Sequence, residues 1–314
     1  MTSDDLDRAV HAHLARMPAP TRALTEPLVA ADAADPWLRD ALLAYLRYFV
    51  RVFERDEAPE AAEGELATEL SELTGVERTT DADADTTEAE RRLTTGFEER
   101  GYRFLGGRTP PYLGAYIWSR TEVRTYSVTL PRADVQEMTV HFLHDFVIRG
   151  WLHWRTFGEQ GAGGWFKHGD PDWPDGLYCV AEKYPDPDTN PAFQVSLLGH
   201  EAQHLVDERA FGELTSAEFE YRAKLVELIE YRSIDDRLRF FLADAAADPE
   251  QPHPYAAHLI VRRLANRLFG HSASEDDWAS VPYERIANEA AALLDEDTVR
   301  LVAGVSVYTG GSRA

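Results

Sequence analysis

From Asn190 to Gly212 the chain reads NPAFQVSLLGHEAQHLVDERAFG, and no other stretch restricts the fold as much. Asn190 is a strong helix N-cap, Pro191 suits the first helical position, and Gly212 can end the helix in a left-handed turn. These signals predict a helix from Pro191 to about Ala210. On it Phe193, Leu197, His200 and His204 share one stripe, with the two imidazoles one turn apart. The apolar flanks Leu197, Leu198, Leu205 and Val206 ask for that stripe to be buried. Buried imidazoles need partners or cost about 1–3 kcal/mol each. The fold must therefore do one of two things. It satisfies two core histidines with separate hydrogen bonds, or it brings a shared cation and a further ligand against this helix.

The second option has a definite chemistry. Two imidazoles four residues apart on a helix can bind one tetrahedral zinc ion. Glu201 projects about 100° round the helix from His200. From there it can reach a zinc-bound water without being a ligand. The segment LLGHEAQHLVDE resembles the active-site helix of the HExxH zinc metallopeptidases, the zincins, the likeness covering residues 190–232. The resemblance implies zinc held by His200 and His204, Glu201 as general base, and a peptide or protein substrate whose carbonyl is attacked by activated water. The fold it implies is α+β and zincin-like. A small mixed or antiparallel sheet would precede the active-site helix, and a mostly helical C-terminal half would follow it. In the gluzincin branch, which the pattern resembles, the third ligand is a glutamate on a following helix. Asp207 stands where the metzincin extension has glycine, which sets that branch aside.

The acidic residues available downstream are Asp207, Glu208, Glu213, Glu218, Glu220, Glu227 and Glu230. Asp207 and Glu208 share the motif helix but point off its histidine face. Glu213 falls in the turn. Thr215-Ser216-Ala217-Glu218 reads as a capping box, which occupies Glu218. Glu220, Ala223 and Glu227 lie on one stripe, where the small Ala223 lets two helices approach closely. Glu220 is the expected third ligand. Glu227 is expected either behind a histidine or as the ligand in Glu220's place, with Glu218 the remaining alternative. The competing role for Glu220 is a surface ion pair with Lys224, one turn on.

The rest of the chain sets this helix in context. Residues 1–95 read as a helical N-terminal region, with Leu38, Leu42, Leu43, Leu46, Phe49, Val50 and Phe53 at helical spacing. Within it TTDADADTTEAE reads as a polar, mobile linker. Residues 96–314 are expected to form the metal-binding domain. There, 115–131 reads as a hairpin turning at Ser119-Arg120-Thr121, and 135–143 and 177–184 as strands. Residues 217–244 read as one long amphipathic helix, with further helices near 254–269 and 283–302. The formal net charge of -23 disfavours nucleic-acid phosphates and anionic lipid as partners. The N-terminus lacks the basic and apolar regions of a signal peptide, and no apolar run reaches about 18 residues. The expected location is cytoplasmic, with no membrane span. The single cysteine, Cys179, lies in an apolar β-like run and reads as a small hydrophobe rather than a nucleophile.

Several side chains are secondary candidates. Tyr221, Tyr231, His153, His168 and His258 could each donate to an oxyanion. YCVAEKY (178–184) reads as an edge strand that could receive a peptide, or as an ordinary sheet strand. The loop of Gly158, Gly161, Gly163 and Gly164 could be a lid, and the tryptophans flanking it, Trp151, Trp154 and Trp165, read as core. Two rivals to a peptidase stand beside these expectations. One is a non-catalytic zinc-binding scaffold or inactive zincin, and the other a zinc hydrolase of non-peptide amides or esters.

Overall fold

The computed structural model describes residues 2–132, 135–169, 173–212, 214–231 and 234–304, and the architecture is α+β. The backbone forms two compact units that interleave along the chain. The first comprises Met1–Glu122, His141–Trp165 and Tyr178–Glu182; the second comprises Val123–Val140, Phe166–Leu177 and Lys183–Ala314. The boundary at 95/96 read from the sequence does not coincide with this division. Among the described residues no helix is long and apolar enough to cross a membrane.

In the first unit the helix Pro36–Glu54 is the central element. Asp35 caps it by accepting a hydrogen bond from the Leu38 amide at 3.0 Å. Its Leu38, Leu42, Leu46, Phe49 and Val50 are buried as the spacing predicts, while Phe53 is half-buried. The polar stretch expected as a linker is instead the start of a helix, Ala82–Glu98. Asp81 caps that helix, and acidic residues in a first turn favour the positive end of the helix dipole. Its apolar stripe, Ala89, Leu93 and Phe97, begins only two turns in, so composition hides the helix's start.

The strands are β1 (Arg103–Leu105), β2 (Arg108–Thr109), β3 (Tyr112–Leu113), β4 (Tyr116–Val128), β5 (Gln136–Arg149), β6 (Gly164–Lys167) and β7 (Gly176–Val180). Five of them form a sheet in the order β1-β4-β5-β7-β6, and β2 pairs with β3 alone. β1 runs antiparallel to β4, with Phe104 opposite Ile117. Two expectations are corrected here. The hairpin at Ser119-Arg120-Thr121 is absent, because β4 runs straight through it; a two-residue hairpin turn needs residues that accept positive φ, and this tripeptide has none. The proposed edge strand, β7, is interior, hydrogen-bonded to β5 on one side and β6 on the other. All five of its residues are buried, so no peptide can add to it.

The second unit carries the motif. Asn190 caps the helix start as predicted, accepting from the Ala192 and Phe193 amides. The segment Pro191–Phe193 passes into a π-helical stretch, Gln194–Gly199, and then into the α-helix His200–Phe211, which ends at Gly212 with φ 69°. The capping box forms as expected, with Thr215 and Glu218 exchanging hydrogen bonds at the start of the helix Ser216–Glu230. The single long helix expected over 217–244 is two helices, Ser216–Glu230 and Ile234–Asp244. Tyr231 leaves the helix with an extended backbone (ψ 102°), a break that side-chain periodicity does not record. The helices Pro252–Leu268 and Tyr283–Val302 follow close to their expected positions.

Candidate metal centre

Two helices of the second unit build the site. The motif helix presents His200 and His204, whose rings meet edge to face with centroids 4.7 Å apart. The helix Ser216–Glu230 presents Glu220 between them. His200 Nε2 lies 3.4 Å from Glu220 Oε2, and His204 Nε2 lies 3.4 Å from Glu220 Oε1. One donor atom from each of the three residues lies within 4.8 Å of the other two, a group that could hold a metal ion. Donors bound at zinc distances of about 2.0–2.2 Å in a tetrahedron sit roughly 3.3–3.6 Å apart. A direct N–H···O bond is usually shorter, about 2.7–3.2 Å. Both observed spacings fall in the first range, and they run to different oxygens of Glu220. His204 Nδ1, the nitrogen turned away from Glu220, is buried and makes no hydrogen bond.

A further carboxylate stands behind this set. His200 Nδ1 donates to Glu227 Oε1 at 2.8 Å in a buried contact. That fixes the ring with Nε2 toward Glu220, and it places Glu227 behind a histidine rather than in Glu220's position. The second oxygen of Glu227 lies 3.2 Å from Arg237 Nε, and Arg237 Nη1 donates to Ser196 Oγ at 2.8 Å. Ser196 belongs to the π-helical stretch, so the network returns to the segment that leads into the motif. Arg237 is also held by the rings of Phe240 and Phe241.

Electrostatics follow from this crowding. Burial alone would lower the His200 imidazole, but hydrogen bonding to Glu220 and Glu227 outweighs it and raises the ring to about 10. Burial likewise pushes against ionisation of Glu220, yet His200, His204 and His253 around it hold the carboxyl well below the usual carboxylate range. In the metal-free site, a proton on His200 thus does the charge balancing that a cation would otherwise do.

Glu201 follows His200 on the motif helix and is half-buried. Glu218 is occupied by its capping box and by Arg300, and Glu208 and Glu230 are exposed. Glu213 lies outside the described residues. Asp207 is fully buried and is held by other partners; Arg222 Nε lies 2.9 Å from it, and Gln203 donates to it at 2.8 Å. Arg222 also reaches Asp297 at 3.1 Å, joining the motif helix to the helices Ser216–Glu230 and Tyr283–Val302. Lys224 does not sit at the surface with Glu220; it is buried, with its ammonium 4.9 Å above the Phe241 ring.

Sequence reasoning missed His253, whose Nδ1 lies 2.6 Å from Glu220 Oε2. It occupies the first turn of the helix Pro252–Leu268, and nothing in the local pattern says that this turn arrives at Glu220. Of the oxyanion candidates, Tyr221 accepts from Arg263 at 3.0 Å, His168 pairs with Asp175 at 2.9 Å, and His258 stacks on Tyr255. Tyr231 is half-buried. His153 and the glycine loop belong to the first unit, where Gly158 and Gly161 approach Pro18, His153 and Arg149. Trp154 is buried in the core of that unit, with Trp151 packed against it, and Trp165 stacks on Tyr178. Burial pushes the Cys179 thiol up to about 12, which fits an inert hydrophobe. Comparison of the chain with protein-family models, with curated proteins and with solved structures yields no match.

Proposed function

We propose that this chain is a zinc-dependent hydrolase of the metallopeptidase type, acting on peptide carbonyls. The observation that carries the reading is the convergence of His200 Nε2 and His204 Nε2 on the two oxygens of Glu220, each at 3.4 Å. Zinc in that position would supply a Lewis acid that polarises a carbonyl and lowers the pKa of water. The other roles fall to the chain itself. His200, His204 and Glu220 are the ligands. Glu227 holds His200 in the tautomer that presents Nε2. Glu201 is the general base, taking a proton on its carboxylate during attack and delivering it to the leaving amine.

The test separates binding from turnover. Wild-type protein is expected to carry one zinc and to cleave an unfolded protein such as denatured casein. Glu201→Gln is expected to keep the zinc and lose the cleavage. Cleavage surviving that change removes Glu201 as the base, and His204→Ala retaining full zinc removes His204 from the site.

One observation favours a second reading, a zinc-binding scaffold without catalysis. The His253 imidazole touches Glu220, which brings a third imidazole beside the histidine pair. If it bound the ion as a fourth protein ligand, the sphere would be closed, as in structural zinc sites. X-ray absorption on the zinc protein distinguishes three nitrogen and carboxylate ligands plus solvent from a closed set. His253→Ala changes the spectrum only in the closed case.

A further inference from the structure

The two imidazoles of the metal centre are not held alike. His204 Nδ1 is buried without a hydrogen bond, whereas His200 Nδ1 is fastened to Glu227. The alignment of the pair therefore depends on what fixes Glu227. That residue is 2% exposed, and its carboxylate gives one oxygen to each of two partners, Oε1 to His200 and Oε2 to Arg237. With both oxygens engaged, the group cannot turn about its last bond without breaking a contact to a cation.

Arg237 is fixed in turn from three sides. Nη1 donates to Ser196 Oγ at 2.8 Å, and Nε faces Glu227 at 3.2 Å. The guanidinium carbon lies 4.4 Å from the centre of the Phe240 ring and 5.2 Å from that of Phe241, at cation–π distance. Ser196 belongs to the π-helical stretch and stands four residues before His200. Such stretches occur frequently at functional sites. The contacts thus close a loop: from Ser196 to Arg237 on the helix Ile234–Asp244, to Glu227 on the helix Ser216–Glu230, and back to His200.

We infer, on the zinc reading of this site, that Arg237 is a positioning residue of the metal centre. It fixes the Glu227 carboxylate, and through it the angle at which His200 offers Nε2. Charge alone predicts the opposite effect, because a guanidinium near a cation site repels the incoming ion. Deleting Arg237 tightens zinc binding if its charge is what counts, and loosens it if its grip on Glu227 is what counts.

Zinc affinity of the whole protein, read by competition against a chromophoric chelator, decides between them. Arg237→Met is expected to lower the affinity about tenfold. Arg237→Lys keeps the charge but loses the planar fork, and is expected to lower it as well. In a Glu227→Gln background Arg237→Met is expected to add no further loss, since the path is already cut there; a merely structural arginine costs the same in both backgrounds. Tighter or unchanged zinc binding in either single variant, or equal losses in the two backgrounds, overturns the inference. The lysine variant keeps the question answerable even if Arg237→Met does not fold. A metal-free measurement separates this inference from the zinc reading. The Nδ1 proton of His200, followed by nitrogen-edited NMR, is expected to exchange with water faster in Arg237→Lys than in wild type, and an unchanged rate overturns the inference. Wild-type protein that binds no zinc overturns the zinc reading instead, and the proton exchange then still shows whether Arg237 holds the ring.

Discussion

At the His200 ring the two nitrogens face different carboxylates, Nε2 toward Glu220 and Nδ1 onto Glu227, and each contact has its own measurable consequence. Glu227→Gln keeps an acceptor near Nδ1 but weakens the pull on its proton. Zinc affinity is expected to fall by about 10–100-fold with the fold intact, read by competition against a chromophoric chelator. The second consequence concerns pH. The folded, metal-free value of about 10 lies above the unfolded value of 6.5. The proton on His200 therefore stabilises the metal-free protein fully below pH 6.5, and that contribution is lost as pH rises through about 10. A cation must displace this proton. Zinc affinity is expected to climb with pH by up to about tenfold per unit across that window, and a flat profile would show His200 to be unprotonated. At this scale the sequence was informative where ligands share one helix. His200 and His204 declare themselves by spacing, and Glu220 by its stripe with Ala223 and Glu227. His253 does not, because its approach to Glu220 depends on where a separate helix begins.

Elements hold these residues through Arg222, which ties Asp207 of the motif helix to Asp297 of the helix Tyr283–Val302. All three side chains are almost wholly buried. Removing the guanidinium leaves Asp207 buried with only the Gln203 amide, while Asp297 keeps Arg300, so Arg222→Met is expected to destabilise the protein by about 3 kcal/mol, measured by urea unfolding. A change within about 1 kcal/mol would mean that water reaches the pair. Caps and helix starts were the legible part of these elements. Asn190, Thr215 with Glu218, and Gly212 all do what their residue types predict. Helix ends without a breaker were not legible, as at Tyr231, and neither was the helix Ala82–Glu98, whose first turns carry no apolar stripe. The π-helical stretch was also hidden: one extra residue per turn leaves composition unchanged and alters only which carbonyl each amide meets. β4 and β7 were misread for a related reason, since strand order and turn position depend on partners far away in sequence.

For the whole molecule, the metal reading predicts a difference between its two units. A ligand that binds only the native state stabilises what it binds, by about 4 kcal/mol at a thousandfold excess over Kd. Chelation is therefore expected to raise amide hydrogen exchange in the helices His200–Phe211 and Ser216–Glu230 of the second unit. Exchange in Pro36–Glu54 of the first is expected to stay unchanged; a uniform rise in both would argue against a local site. The path of the backbone adds a constraint of another kind. The chain passes from one unit to the other at 122/123, 140/141, 165/166, 177/178 and 182/183, and the first four of these crossings fall inside β4, β5, β6 and β7. Neither unit is one uninterrupted length of polypeptide. Truncation before 123 or after 182 cannot liberate a complete half by itself, and transplanting the histidine helix into another protein would leave the helix Ser216–Glu230 with its Glu220 behind. Cutting the chain at any one of these crossings therefore divides at least one unit, and at the middle three it divides both.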